Sequence, residues 1–149
     1  MSDGAVNIWD AGGVLSNQPN SLISRSEVHK GQVLALEFHP EQVNLMASGS
    51  SDGEVYIWDL ANPGAPKASP PHQQQRSHQA GVSCIAWNKD KKVPQILASS
   101  NELGETTVWD LRLKRSIITF RQSSRAAQVR TSAISWNPDT VRVFFIFFS

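Results

Sequence analysis

The chain has 149 residues, 40% hydrophobic and 18% charged, with a formal net charge of +1; that balance suits one globular core and excludes a disordered tail, while near-neutral charge excludes a global field drawing it to nucleic acid or anionic lipid. Its single cysteine, Cys84, can form no internal disulfide, which suits a reducing compartment. The start, Met1-Ser-Asp-Gly-Ala-Val-Asn, has no charged region and no apolar region of the secretory kind, so the expected location is cytoplasmic.

In chain order, a turn at Asp3-Gly4 leads into a short run ending at Trp9-Asp10. The alternation Val33-Leu-Ala-Leu-Glu-Phe38 predicts a strand, which Pro40 stops. Leu45-Met-Ala-Ser48 predicts a second strand, and Glu54-Val-Tyr-Ile-Trp58, rich in β-branched and aromatic residues, a third. Between them stands Asp52-Gly53, where a tight hairpin needs positive φ and glycine supplies it without a Cβ clash. Residues 62–79, with their proline, glutamine and histidine, lack periodicity and read as an exposed connection. The order then recurs as Val82-Ser-Cys-Ile-Ala-Trp87, Ile96-Leu-Ala-Ser99 and Glu105-Thr-Thr-Val-Trp109, with Gly104 in the turn but Leu103 in place of the acid. Pro138 marks a further turn, and Val141-Arg-Val-Phe-Phe-Ile-Phe-Phe148 is far shorter than the roughly 20 apolar residues of a membrane helix.

Two periods run through these elements. Trp-Asp occurs at Trp9, Trp58 and Trp109, 49 and 51 residues apart, and Phe38, Trp87 and Trp136 stand 49 apart. Such a repeat, with three short strands in fixed order, predicts an all-β WD-repeat propeller, whose blades have four strands each. The predicted division is residues 1–28 as the end of one blade, 29–77 and 78–128 as two near-complete four-stranded blades, and 129–149 as the start of another with an atypical phenylalanine-rich end. The chain is expected to open before a third strand and to stop where a second should be forming, as an incomplete ring. Its end blades should then expose faces lined by Val33, Leu36, Ile134 and Trp136, and Val143 to Phe148 should add an aggregating window that a deletion of 141–149 would remove.

His29, Ser48 and Asp52 are the residue types of a nucleophilic triad. Ser48, however, lies in an apolar strand without the Gly-x-Ser-x-Gly elbow that presents a nucleophile. In WD repeats, a histidine before the first strand, a serine on the second, an acid in the next turn and the tryptophan of the third form a buried hydrogen-bonded tetrad. The matching residues here are His29, Ser48, Asp52 and Trp58. The next repeat keeps His78, Ser99 and Trp109 but has Leu103 for the acid, which predicts a less tightly specified blade. His72 and His78 have no Cys or acidic partner at ligand spacing, so no metal is expected, and without a glycine-rich phosphate loop or paired carboxylates no cofactor or catalysis is expected either. The run Lys89-Asp90-Lys91-Lys92 and the scatter Arg112, Lys114, Arg115, Arg121, Arg125 and Arg130 can meet phosphates or acidic partners, but read first as solvated turns and outer strands.

A closer resemblance is carried by His29-Lys-Gly-Gln-Val-Leu-Ala-Leu, Asn44-Leu-Met-Ala-Ser-Gly, Glu54-Val-Tyr-Ile-Trp-Asp-Leu60, Val82-Ser-Cys-Ile-Ala-Trp-Asn88, Gln95-Ile-Leu-Ala-Ser-Ser100 and Thr107-Val-Trp-Asp-Leu-Arg112. From about Asp3 to Asp139 the chain resembles the amino-terminal propeller of the large outer subunit of the COPII vesicle coat. The resemblance implies a cytosolic scaffold in endoplasmic reticulum to Golgi transport. It also implies a place peripheral to the membrane at exit sites and on COPII vesicles, with a smaller propeller subunit and inner-coat components as partners. The phenylalanine-rich end departs from that pattern, and the family's solenoid, partner-binding blade and proline-rich segment are absent. The residues by themselves support a WD-repeat interaction surface, for which a peptide-binding adaptor of the ubiquitin-ligase substrate-receptor or histone-binding type is the alternative.

Overall fold

The computed structural model describes residues 4–68, 80–121, 130–137 and 144–148. Every strand pairing among the described residues is antiparallel and joins strands consecutive in the chain. The first pair is β1 (Val6–Trp9) and β2 (Leu22–Ser26), joined through the short helix α1 (Ala11–Leu15). Asp10 caps that helix by accepting from the backbone N–H groups of Gly12 and Gly13, each at 3.1 Å.

Two four-stranded sheets follow. One has the order β3 (Val33–Phe38), β4 (Leu45–Ser50), β5 (Val55–Asp59), β6 (Lys67–Ala68); the other runs β7 (Val82–Trp87), β8 (Ile96–Asn101), β9 (Glu105–Asp110), β10 (Arg115–Arg121). A last pair joins β11 (Thr131–Trp136) to β12 (Phe144–Phe148), with Trp136 opposite Phe144 and Ile134 opposite Ile146. The phenylalanine-rich end is therefore the second strand of a sheet, a continuous apolar run paired along β11. This partial WD40 propeller comprises two whole blades and two half-blades among the described residues.

The turns need the glycines that the sequence puts there. Gly4, Gly53 and Gly104 have φ of 63°, 82° and 73°, a region in which a Cβ meets the backbone.

The core lies between consecutive sheets. Ala47 and Val55 of the first sheet meet Val82, Ile85, Trp87, Leu97 and Trp109 of the second. The next seam gathers Ala86, Ile96, Ala98 and Val108 against Trp136, with Ile134 and Phe144 packed on it. Val6, Met46 and Trp58 form the first seam, with Val33 at its edge. The seams are tight: a Cβ on Gly49 would come within 2.5 Å of a Val82 methyl.

Three of the four residues expected to line bare end faces have neighbours, because β1–β2 and β11–β12 cover what would otherwise be open. Trp136 is 5% exposed, while Ile134 and Val33 pack on buried clusters. Leu36 is exposed as expected, together with Phe38, Trp9, Leu22 and Ile23. No helix among the described residues is long and apolar enough to cross a membrane.

Candidate functional site

Each whole blade carries a polar set inside its sheet. In the first, His29 precedes β3, Ser48 lies on β4 and Trp58 on β5. The hydroxyl oxygen of Ser48 accepts from Trp58 Nε1 at 2.8 Å and lies 2.7 Å from His29 Nε2, with all three residues buried. Such bonds matter inside a dry sheet because an unpaired polar atom there keeps its desolvation cost.

Asp52 is placed differently from His29's other contacts. Its carboxylate lies 3.9 Å from His29 Nδ1, longer than a hydrogen bond, and Nδ1 has no hydrogen-bond partner among the described residues. Asp52 instead ties the turn to the segment before β3. It accepts from the backbone N–H groups of Lys30 at 2.7 Å, Gly31 at 3.3 Å and Glu54 at 2.9 Å, and from the Ser50 hydroxyl. Burial opposes ionisation of Asp52, yet these donors and His29 outweigh it and hold the carboxyl below its ordinary range. Burial pushes His29 the other way for a base, lowering its pKa despite the pull of Asp52, so the ring is neutral at pH 7.

Ser48 is 0% exposed, so no substrate carbonyl reaches its hydroxyl. His29, Ser48 and Asp52 can hold strands and a loop together; as placed, they cannot present a nucleophile.

In the second blade Trp109 Nε1 donates to Ser99 Oγ at 2.9 Å. His78 lies outside the described residues. Leu103 leaves no acid in the turn, but Asn101, two residues earlier, does part of its work. Its side-chain oxygen accepts from the N–H groups of Leu103 and Glu105, each at 3.0 Å, while its amide donates to Glu105 at 2.8 Å. The turn itself is therefore held by side-chain bonds although the acid is missing. Asp52's long reach back to residues 30 and 31 has no counterpart on Asn101 among the described bonds. Asn at this place is a turn signal that the sequence reading passed over.

The second tryptophan class joins blades. Trp87 Nε1 donates to the carbonyl of Glu37 at 3.2 Å, and Trp136 Nε1 to that of Ala86 at 3.0 Å. The backbone N–H of Trp87 also donates to the Glu37 carboxylate at 2.6 Å. Burial raises the Glu37 pKa, with that bond and the charge of Lys89 opposing. His39 adds another link: its Nδ1 accepts from the N–H groups of Glu41 and Gln42, its Nε2 donates to Pro94 O at 2.8 Å, and its ring lies on Trp87.

The cations sit at the surface. Arg112, Arg121, Arg130 and Lys91 pair with Asp110, Glu105, Glu102 and Glu41 respectively, all with more than half of the basic side chain exposed; such pairs contribute little. Arg125 lies outside the described residues. No group of three or more metal-ligating side chains occurs among those described.

The WD domain, G-beta repeat pattern matches residues 20–59 and 69–110. The chain is similar to the protein transport protein SEC31 of Dictyostelium discoideum, 36% identical over 93% of this chain and 10% of that protein. It is likewise similar to Sec31A of Danio rerio, 39% identical over 92% of this chain and 10% of that protein. The chain thus spans about a tenth of the length of these relatives. Among solved structures, one described as COPII on membranes, outer coat vertex, shares the fold with a TM-score of 0.78 at 23% identity, over 99% of this chain and 39% of that one. The two matched repeats fill more than half of the present chain, their described residues form the two whole sheets, and the chain belongs to the WD domain, G-beta repeat family.

Proposed function

We propose that the chain forms part of the propeller of a COPII outer-coat subunit and works as a non-catalytic scaffold in transport from the endoplasmic reticulum to the Golgi. The observation that carries this reading is its identity of 36–39% to Sec31 proteins over more than nine-tenths of its own length. The geometry agrees in kind. Its hydrogen-bonding capacity is spent inside sheets and across seams, and the serine of the triad-like set is sealed from solvent, as befits a rigid surface for assembly. On this reading its partners are the smaller propeller subunit of the outer coat and inner-coat components, and it acts in the cytoplasm, peripheral to exit-site and vesicle membranes.

Affinity capture from cytosol with the full-length gene product, read by mass spectrometry, tests the proposal. Recovery of the smaller propeller subunit and inner-coat proteins in near-stoichiometric amounts is expected. Recovery of ubiquitin-ligase or histone partners in their place would overturn it in favour of a peptide-binding adaptor.

A further inference from the structure

The two whole sheets part at the strand ends opposite the Asp52 turn, and a groove of about 710 Å³ opens there. Among the described residues β6 begins at Lys67, opposite Ile57, and leaves Trp58 and Asp59 without an outer partner at this end, whereas β10 follows β9 from Asp110 to Glu105. The floor is apolar: Leu45, Ile57 and Leu111 are partly buried and pack on the cluster between the sheets. The rim is basic, with Lys67 from β6 and Arg112 and Lys114 from the turn between β9 and β10. Arg112 lies near Asp110, 3.8 Å away, but that carboxylate also accepts from the Arg112 and Leu113 N–H groups. Lys67 and Lys114 pair with no carboxylate among the described residues, and no acidic side chain lines the groove.

We propose that this groove takes a linear peptide segment of a protein partner in which a bulky apolar side chain is flanked by carboxylates. The volume suits a few residues of peptide. A concave apolar floor recovers the hydrophobic gain of burying one large side chain, and a rim that carries Lys67, Arg112 and Lys114 beside neutral Gln42 and Gln95 selects the flanking charge and speeds encounter. The chain's own adjoining residues 69–79 do not supply this chemistry, since Ser-Pro-Pro-His-Gln-Gln-Gln-Arg-Ser-His-Gln contains neither an acid nor a large aliphatic or aromatic side chain. A flat anionic membrane meets the rim but leaves the floor empty, so a peptide fits both halves of the site. The site is independent of the coat proposal.

The test is fluorescence anisotropy of the full chain with a fluorescein-labelled Glu-Glu-Leu-Phe-Glu-Glu peptide. Saturable binding is expected, weakened by added salt. The double variant Lys67→Glu, Lys114→Glu should weaken it at least about tenfold, with an unchanged thermal midpoint because both side chains are exposed. Lys30→Glu, at the opposite end of the strands, makes the same kind of charge change outside the groove and should leave binding intact. Equal loss with Lys30→Glu, equal binding of Glu-Glu-Ser-Ser-Glu-Glu, or no binding of the first peptide would overturn the proposal. So would association with phosphatidylserine vesicles in its place.

Discussion

The indole N–H of Trp87 donates to the backbone carbonyl of Glu37, 50 residues earlier and one blade away, and Trp136 repeats the bond one blade later with Ala86. The period of Phe38, Trp87 and Trp136 is therefore a period of blade contacts. Phe38 occupies the same place but has no donor, and its ring is 59% exposed. Trp87→Phe keeps most of the packing and removes one hydrogen bond between blades, so it should lower stability by about 1 kcal/mol, read as a fall in the thermal midpoint. Phe38→Trp should change it little, because the added N–H meets solvent.

Asp52 and Asn101 hold equivalent turns by different reach. Asp52→Ala leaves the Lys30, Gly31 and Glu54 N–H groups and the Ser50 hydroxyl short of an acceptor and should cost roughly 1–3 kcal/mol. Asn101→Ala removes three bonds confined to residues 101–105 and should cost less. Denaturant unfolding of both variants checks the order, and a larger loss for Asn101→Ala would contradict it.

Stability should vary with pH in opposing ways. His29 has a folded pKa below its ordinary 6.5 through burial, with Asp52 opposing. Its unfolded form takes the proton first, so its contribution is full above 6.5 and is lost as pH falls through the folded value. Glu37 has a folded pKa above its ordinary 4.5 through burial, against the Trp87 N–H and Lys89; its contribution is full below 4.5 and is lost as pH rises through the folded value. Glu37→Gln keeps an acceptor for Trp87 and removes the half-buried charge. Thermal midpoints should show the variant more stable than wild type at pH 7 and equal to it near pH 4. A variant less stable at pH 7 would contradict this.

Much of the architecture was legible because WD repeats write it in short range. Alternating runs, the Asp52-Gly53 turn and the aromatic period are local signals, and each appears as the element expected. The His29, Ser48 and Trp58 contacts could also be read, because the repeat fixes which strand bears each residue. What escaped was non-local. The bonds of Trp87 and Trp136 cross between blades, and His39 is tied to Pro94, 55 residues away. The pairing of β12 with β11 depends on a partner strand that the phenylalanine-rich run does not itself reveal. Asp52's preference for backbone N–H groups over His29 turns on about an ångström, which residue identity does not encode.

Leu36, Phe38, Trp9, Leu22 and Ile23 are exposed on the first sheets, and apolar patches of this kind drive association. Expressed alone, the chain should elute as oligomers in size-exclusion chromatography. The sequence alone predicts that deleting 141–149 helps, whereas the pairing of β12 predicts the opposite. Phe144 lies 4.9 Å from the Trp136 ring and β12 pairs along β11, so the deletion should bare β11 and increase association. A sharp monomer peak after deletion would contradict this account.

The measurement that bears most directly on the chain as a scaffold, and not an enzyme, is thermal unfolding of Ser48→Ala beside an ester-hydrolysis assay. Ser48 Oγ serves both His29 Nε2 and Trp58 Nε1 inside the sheet, so its removal strands two buried groups at about 1–3 kcal/mol each. The account predicts a clear fall in the thermal midpoint and no ester turnover in either protein. An unchanged midpoint, with turnover present in the wild type and lost in the variant, would contradict it.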